Sequence, residues 1–283
     1  MKYSEFKNVS LSIVWFWLFI FALLPFCLVI AASFMAHSDT HLMQMPFTFS
    51  NYLKLNNPIY IRIFEKSLFI AGSVTIICLL LGYPFAYIIA RSQSRWKNLF
   101  ILLVIIPFWT SSLIRSYALI AIIKAKGVLN SILLAIGLIQ FPLPILFTNS
   151  AVMLGLVYNL LPFMILPIMT NVERLDNRLV DAARDLGANR FTTFRKIIIP
   201  LTMPGIIAGS ILVFLPAMTL FYIPDILGGA KSILLGNLIQ NQFIISENWP
   251  MGATFNTALT FLLATLLLIY VFATRSHKRR EWL

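Results

Sequence analysis

The chain of 283 residues is 59% apolar and 11% charged, and its 22 Lys and Arg against 10 Asp and Glu leave a net charge of +12. Water-soluble domains carry about 25% charged residues, so this composition excludes an ordinary soluble enzyme, a disordered chain and a secreted disulfide scaffold. What remains is an all-α polytopic membrane protein, with room for about six or seven spans of ~20 apolar residues.

Uncharged stretches locate the spans, because a charge at the bilayer centre costs ~3 kcal/mol. The first covers residues 8–38. It outruns a signal peptide, lacks a convincing cleavage site, and reads as a retained span. The second covers 67–90 and the third 98–114. At 17 residues the third reaches only ~25 Å as a helix, so Lys97 and Arg115 must extend their heads to opposite interfaces. Between 127 and 172 lie 46 uncharged residues interrupted by Pro142 and Pro144. The 14-residue piece at 127–140 would reach ~21 Å, which predicts an interfacial or re-entrant helix, with the fourth span inside 147–172. The fifth and sixth fall in 197–224 and 248–274. Cys27 and Cys78 sit inside apolar runs, where a thiol behaves as a small hydrophobe.

With six spans, fifteen Lys and Arg fall on the side of the N-terminus and seven opposite. The positive-inside rule then puts both termini in the cytoplasm. A seventh span would send Arg275, Lys278, Arg279 and Arg280 outside, against that rule. The basic excess thus reads as a topology determinant, and no nucleic-acid partner is expected. Pro25, Pro84, Pro107, Pro162, Pro167, Pro204 and Pro216 recur near or within the spans, as packing kinks or as gating hinges. Gly205 and Gly209 have the small-xxx-small spacing of close helix packing.

The polar connection between the fourth and fifth spans reads NVERLDNRLVDAARDLGANRFTTFRKIIIPLTMPG. Asp176 or Asn177 caps a helix with Leu179, Ala182, Ala183 and Leu186 at helical spacing, and Gly187 supplies the left-handed turn that ends it. Asn189 caps a second helix with Phe191, Phe194 and Ile198 as an apolar stripe, and Pro200 and Pro204 mark re-entry into the membrane. Two capped helices with both signs of charge make a docking surface. A DNA-reading helix-turn-helix is the competing interpretation, disfavoured because the element is wedged between two spans.

At these residues the chain resembles the permeases of ATP-binding-cassette importers, whose cytoplasmic signature is Glu-Ala-Ala, three residues, Gly, nine residues, then Ile-x-Leu-Pro. Here Asp181, Ala182 and Ala183 precede Gly187, and Ile197 and Pro200 close the pattern, with Asp181 standing for Glu and Ile199 for Leu. The resemblance extends along nearly the whole chain and is nearest to importers of the spermidine/putrescine type. GYPFAY, IPFWTSSLIRSY, GLVYNLLPFMILP, DAARDLGA, IIIPLTMPGIIAGS and LPAMTLFYIPDILGGAK carry it. Permeases for aminoethylphosphonate and ferric iron share the loop motif but less of the rest.

This resemblance implies a six-transmembrane-helix, type I, MetI-like permease forming a single domain over residues 1–283, with a cytoplasmic coupling loop at 173–200. It implies a multi-pass protein of the bacterial inner membrane. The implied partners are a second homologous permease subunit, two ATPase subunits and a periplasmic substrate-binding protein. Asp181, Ala182, Ala183, Gly187, Phe191, Phe194, Ile197 and Pro200 would couple this chain to the ATPase. The chain has no GxxxxGK[ST] phosphate loop, so it is expected to bind no cofactor and to be no enzyme, with ATP and Mg belonging to the partner ATPases.

A polyamine cargo wants carboxylates along aromatic walls. Asp225 after Phe221 and Tyr222, Glu247 near Trp249, and Phe108, Trp109 and Tyr117 are the candidate path residues. The competing reading makes the aromatics an interfacial belt and pairs Asp225 with Lys231. His37 and His41 lack a third ligand and predict no metal site. An ATP-independent secondary transporter is the rival class. It is disfavoured because the predicted span cores hold no ionisable residue, and a membrane enzyme or assembly factor is the third option.

Overall fold

The computed structural model describes residues 2–37, 44–45, 47–229 and 232–280, and side chains between residues 10 and 268. Apart from one bridge between Ala36 and Gln44, the regular structure there is helical. Six helical stretches among the described residues are long and apolar enough to cross a membrane: Ser10–Ser33, Pro58–Arg91, Ser112–Ala135, Asn149–Glu173, Arg190–Thr219 and Trp249–Leu268. His41 and Lys231, and with them the pairing considered for Asp225, lie outside the described residues.

The chain divides into two compact units. One unit holds residues 1–62 and 238–283. It contains α1 (Lys2–Leu18), which continues through a wide turn into α2 (Leu24–Ser33), the short α3 (Ser50–Lys54) and the long α13 (Trp249–Arg280). Pro25 sits in the first turn of α2, where its missing N–H is cheapest. The end of α2 is tied down by side chains, with Asn51 Nδ2 and Thr254 Oγ1 both donating to the Ser33 carbonyl at 3.3 and 3.0 Å. Tyr60 meets the buried Phe255 edge-on at 4.8 Å.

The second unit, residues 63–237, is built around α8 (Asn149–Glu173). Before it in the chain come α4 (Pro58–Arg91), α5 (Ser94–Ile105), α6 (Ser112–Ile123) and α7 (Val128–Ala135). After it come α9 (Asn177–Asp185), α10 (Arg190–Thr193), α11 (Ile199–Thr219) and the start of α12 (Leu235–Gln240). The small-residue spacing acts as expected: a Cβ on Gly205 would lie 2.7 Å from the Pro167 carbonyl oxygen, and one on Gly209 2.8 Å from Met164 Sδ. These two glycines let α11 lie directly against α8. Gly155, nearer the start of α8, admits the Pro224–Gly228 turn instead, where a Cβ would collide with Leu227 Cδ1.

The third span departs from the expected single helix over 98–114. The chain runs through α5 into a tight 3-10 turn at Ile106–Trp109, breaks at Thr110, and restarts as α6. Pro107 contributes to the break because it has no N–H to continue the ladder. Contacts with α8 trace the path: Lys97 pairs with Glu173 at 3.1 Å, Phe108 meets Phe163 at 5.0 Å, and Arg115 lies over the Tyr158 ring at 5.9 Å. Thus α5, the turn and α6 together run antiparallel to α8. The shortness of 98–114 is relieved by a longer, broken path, and α6 with α7 supplies the stretch long enough by length and composition alone. Within 127–140 lies only the eight-residue α7, set off from α6 by a turn yet part of that same candidate span, and Gly137 beyond it has φ +72°.

Candidate functional site

Two clusters flank α8, one at each end. At the Glu173 end, the Asp176 side chain accepts from the Arg178 N–H at 2.9 Å and starts α9. Gly187 turns the chain with φ +81°, and a Cβ there would touch nothing, so only backbone conformation demands glycine. Asn189 then caps α10 by accepting from the Thr192 N–H at 2.7 Å.

Pro200 and Pro204, which mark re-entry into the membrane in the sequence, lie within one continuous helical path from Arg190 to Thr219. A wide turn at Phe194–Ile198 precedes Pro200, where a proline would otherwise clash with the carbonyl one turn back. Thus α10 is helically continuous with α11.

The apolar residues of this loop divide between two faces. Leu175, Val180 and Ile198 are buried with Tyr87 and Phe194 packed against them, and Ala183 is buried too. Tyr83 meets Phe194 edge-on at 5.5 Å and shares a 2.9 Å hydrogen bond with Thr202, and Arg91 donates to the Asn177 side chain. These contacts hold the loop against the last turns of α4. On the other face Leu186 is 89% exposed and Phe191 70%, with Asp181, Ala182 and Gly187 exposed between them. The predicted stripe of Phe191, Phe194 and Ile198 is split, since Phe191 faces outward while Phe194 and Ile198 face the core. Ile197 is half-buried and Pro200 exposed. Leu186 therefore joins the exposed apolar set.

At the Asn149 end, the helix of the fifth span stops at Thr219 and resumes at Tyr222, leaving Leu220 and Phe221 non-helical. Non-helical backbone at membrane depth is tolerated where protein or a cavity satisfies it. Here Asn237, 1% exposed, does so: its Nδ2 donates to the Phe221 carbonyl at 2.7 Å and to the Asp225 carboxylate, while its Oδ1 accepts from the Leu234 N–H at 3.1 Å. All of Asn237's amide hydrogens are thus used. The Leu235 N–H donates to Ser67 Oγ at 2.8 Å, and Ser232 Oγ donates to Asn149 Oδ1 at 3.0 Å. Ser232 and Leu235 are thereby pinned to α8 and α4.

The structure brings several predicted path residues together. The Tyr222 hydroxyl donates to Ser112 Oγ at 2.9 Å, joining the broken fifth span to the broken third, three residues beyond Trp109. Asp225 and Phe221 are exposed beside this junction, and Trp109 is 78% exposed. Phe108 is turned instead toward Phe163, and Tyr117 is exposed on α6. Glu247, with φ +48°, belongs to the other unit, where Trp249 meets Phe243 edge-on at 5.8 Å. Asn237, Ser112 and Ser67 were not legible as site residues. The one available signal was an amide inside the apolar run ILLGNLI.

Residues 82–281 match the family model described as "Binding-protein-dependent transport system inner membrane component". The chain is 47% identical to the spermidine/putrescine transport system permease protein PotB of Haemophilus influenzae, over 98% of this chain and 97% of the relative. It is 48% identical to the PotB of Escherichia coli strain K12, over 92% and 94%. The inner membrane ABC transporter permease protein YdcU of that strain is 34% identical over 79% and 75%. Among solved structures, a chain of a bacterial ABC transporter involved in the import of the acidic polysaccharide alginate aligns with a TM-score of 0.76 over 98% of this chain and 96% of that one. At 16% identity that likeness speaks for the fold alone.

Proposed function

From the premise that this chain belongs to the family of binding-protein-dependent transport system inner membrane components, we propose that it forms half of the path of an ATP-driven importer for polyamines. The observation that carries the cargo class is 47% identity over 98% of the chain to a permease named for spermidine and putrescine. The remaining subunits of the proposed complex are a second, homologous permease, two ATPases that hold ATP and Mg, and a periplasmic binding protein. Both termini and the α9–α10 loop face the cytoplasm, consistent with the bias of fifteen Lys and Arg to that side.

The exposed face of Leu186, Gly187 and Phe191, with Asp181 and Ala182, is the ATPase contact. Ala183, Phe194 and Ile197 act behind it as packing that joins the contact to the spans. At the far end, a cargo ammonium is drawn to the Asp225 carboxylate, oriented by Asn237, with the Trp109 and Phe221 rings offering apolar and cation-π contact to the methylene chain and its charges. Tyr222 serves this site by locking the two broken spans together.

Uptake of labelled spermidine and putrescine by the reconstituted complex tests the reading. ATP-dependent uptake of either, with KM raised about tenfold by Asp225→Asn, roughly 1.4 kcal/mol of lost interaction, is the expected result. Uptake by this polypeptide alone, driven by an ion gradient and indifferent to ATP, would sink it.

A further inference from the structure

The segment between α7 and α8 has an organisation that cargo and coupling leave unused. From Pro142 to Phe147 it is irregular backbone, yet five of its six positions either carry no N–H or donate it internally. Pro142 and Pro144 carry no N–H. The Leu143 N–H donates to Asn130 Oδ1 at 2.8 Å, that of Ile145 to the Leu143 carbonyl at 2.9 Å, and that of Phe147 to the Leu227 carbonyl at 2.8 Å. Asn130, fully buried, also donates from Nδ2 to the carbonyls of Leu143 and Lys124 at 3.1 and 3.2 Å. A single amide thus ties the irregular segment to α7 and to the α6–α7 turn.

The surface this holds rigid is apolar. Phe141 is 78% exposed and Leu138 70%, with Ile136 and Leu143 exposed beside them. No charged residue occurs from 127 to 172, whereas Lys124 and Lys126 are exposed on the turn that Asn130 grips. A water-facing or protein-docking loop needs neither hidden N–H groups nor an absence of charge over this length. Seating against the lipid interface favours both, because acyl chains offer no hydrogen-bond partner and penalise charge, while the N–H groups and side chain around Gln140 remain for the headgroup layer.

We propose that residues 136–147 form an apolar finger inserted into the membrane interface at the Asn149 end of α8, with Lys124 and Lys126 reaching lipid phosphates. The lysine pair argues for lipid over a protein partner, since flexible cations beside an apolar edge suit phosphate headgroups above acyl chains. Through the Phe147 to Leu227 hydrogen bond the finger also braces the turn that carries Asp225. The proposal holds whatever the cargo is.

Nitroxide depth measurement decides it. The full-length chain, with the exposed Cys27 replaced by Ala and the buried Cys78 retained, is labelled after Phe141→Cys or Leu138→Cys. The aqueous control is Gln93→Cys, exposed on the polar turn between α4 and α5. Each is reconstituted with its partner subunits in phosphatidylethanolamine and phosphatidylglycerol vesicles. Both finger labels are expected to collide with oxygen and to be shielded from a water-soluble nickel chelate, giving a ratio several-fold above the control. Finger labels as open to nickel as the control would overturn the proposal. So would shielding that arises only when the extracytoplasmic binding protein is added, because the occupant would then be protein.

Discussion

The two ends of α8 are held together by different physics. The Glu173 end is a local construction in which caps, a glycine turn and apolar residues at helical spacing all lie within some two dozen consecutive residues. The Asn149 end is assembled from distant segments, with Ser67, Ser112, Asn149, Asp225 and Asn237 meeting through side-chain hydrogen bonds. The first end is folded by its own sequence and fastened to α4 at Tyr83, Tyr87 and Arg91, so a displacement there is shared with that helix. In the second, a shift of either broken span rearranges several buried polar groups at once, which favours discrete positions over gradual deformation.

The scaffold common to both ends gives the largest expected effect. Gly205→Val would force a side chain against the Pro167 backbone, which cannot yield, and membrane-inserted protein should fall to background in a detergent stability assay. Gly187→Val separates the ends. Its cost is confined to a positive φ in an exposed turn, so insertion and cargo-stimulated binding-protein docking should survive while ATP-driven uptake drops at least tenfold, about 1.4 kcal/mol or more at the coupling step. Uptake at the normal rate would remove the turn from the coupling path.

Asn237→Asp sharpens the other half. It preserves shape and the acceptor for Leu234 but withdraws the donors and sets a second carboxylate beside Asp225. We expect KM for a cationic cargo to rise several-fold with the ATPase contact unaffected. Combined with Asp225→Asn, the two changes should cost less than their sum, and additive effects would show that Asn237 does not act through Asp225. The smallest effect belongs to Lys97→Ala, whose half-exposed pair with Glu173 should contribute no more than about 1 kcal/mol in thermal unfolding.

Much of the Glu173 end was legible beforehand because its determinants are short-range. Asp176 and Asn189 cap as their positions predict, and Gly187 takes the left-handed turn. Spacing could not tell Phe191 from Phe194, since both fit one helical stripe until α4 claims one of them through Tyr83 and Tyr87. Nor could it foresee the wide turn that fuses α10 with α11 across Pro200.

Composition and charge by themselves determined a helical membrane protein with six spans, because the bilayer penalises charge and unpaired backbone so heavily that few alternatives survive. The tertiary structure decided where those spans break and what closes the breaks. A broken helix is stable only when a particular distant side chain, such as Asn237 for the Phe221 carbonyl, arrives to satisfy it. That meeting depends on how the chain packs, which no local pattern encodes.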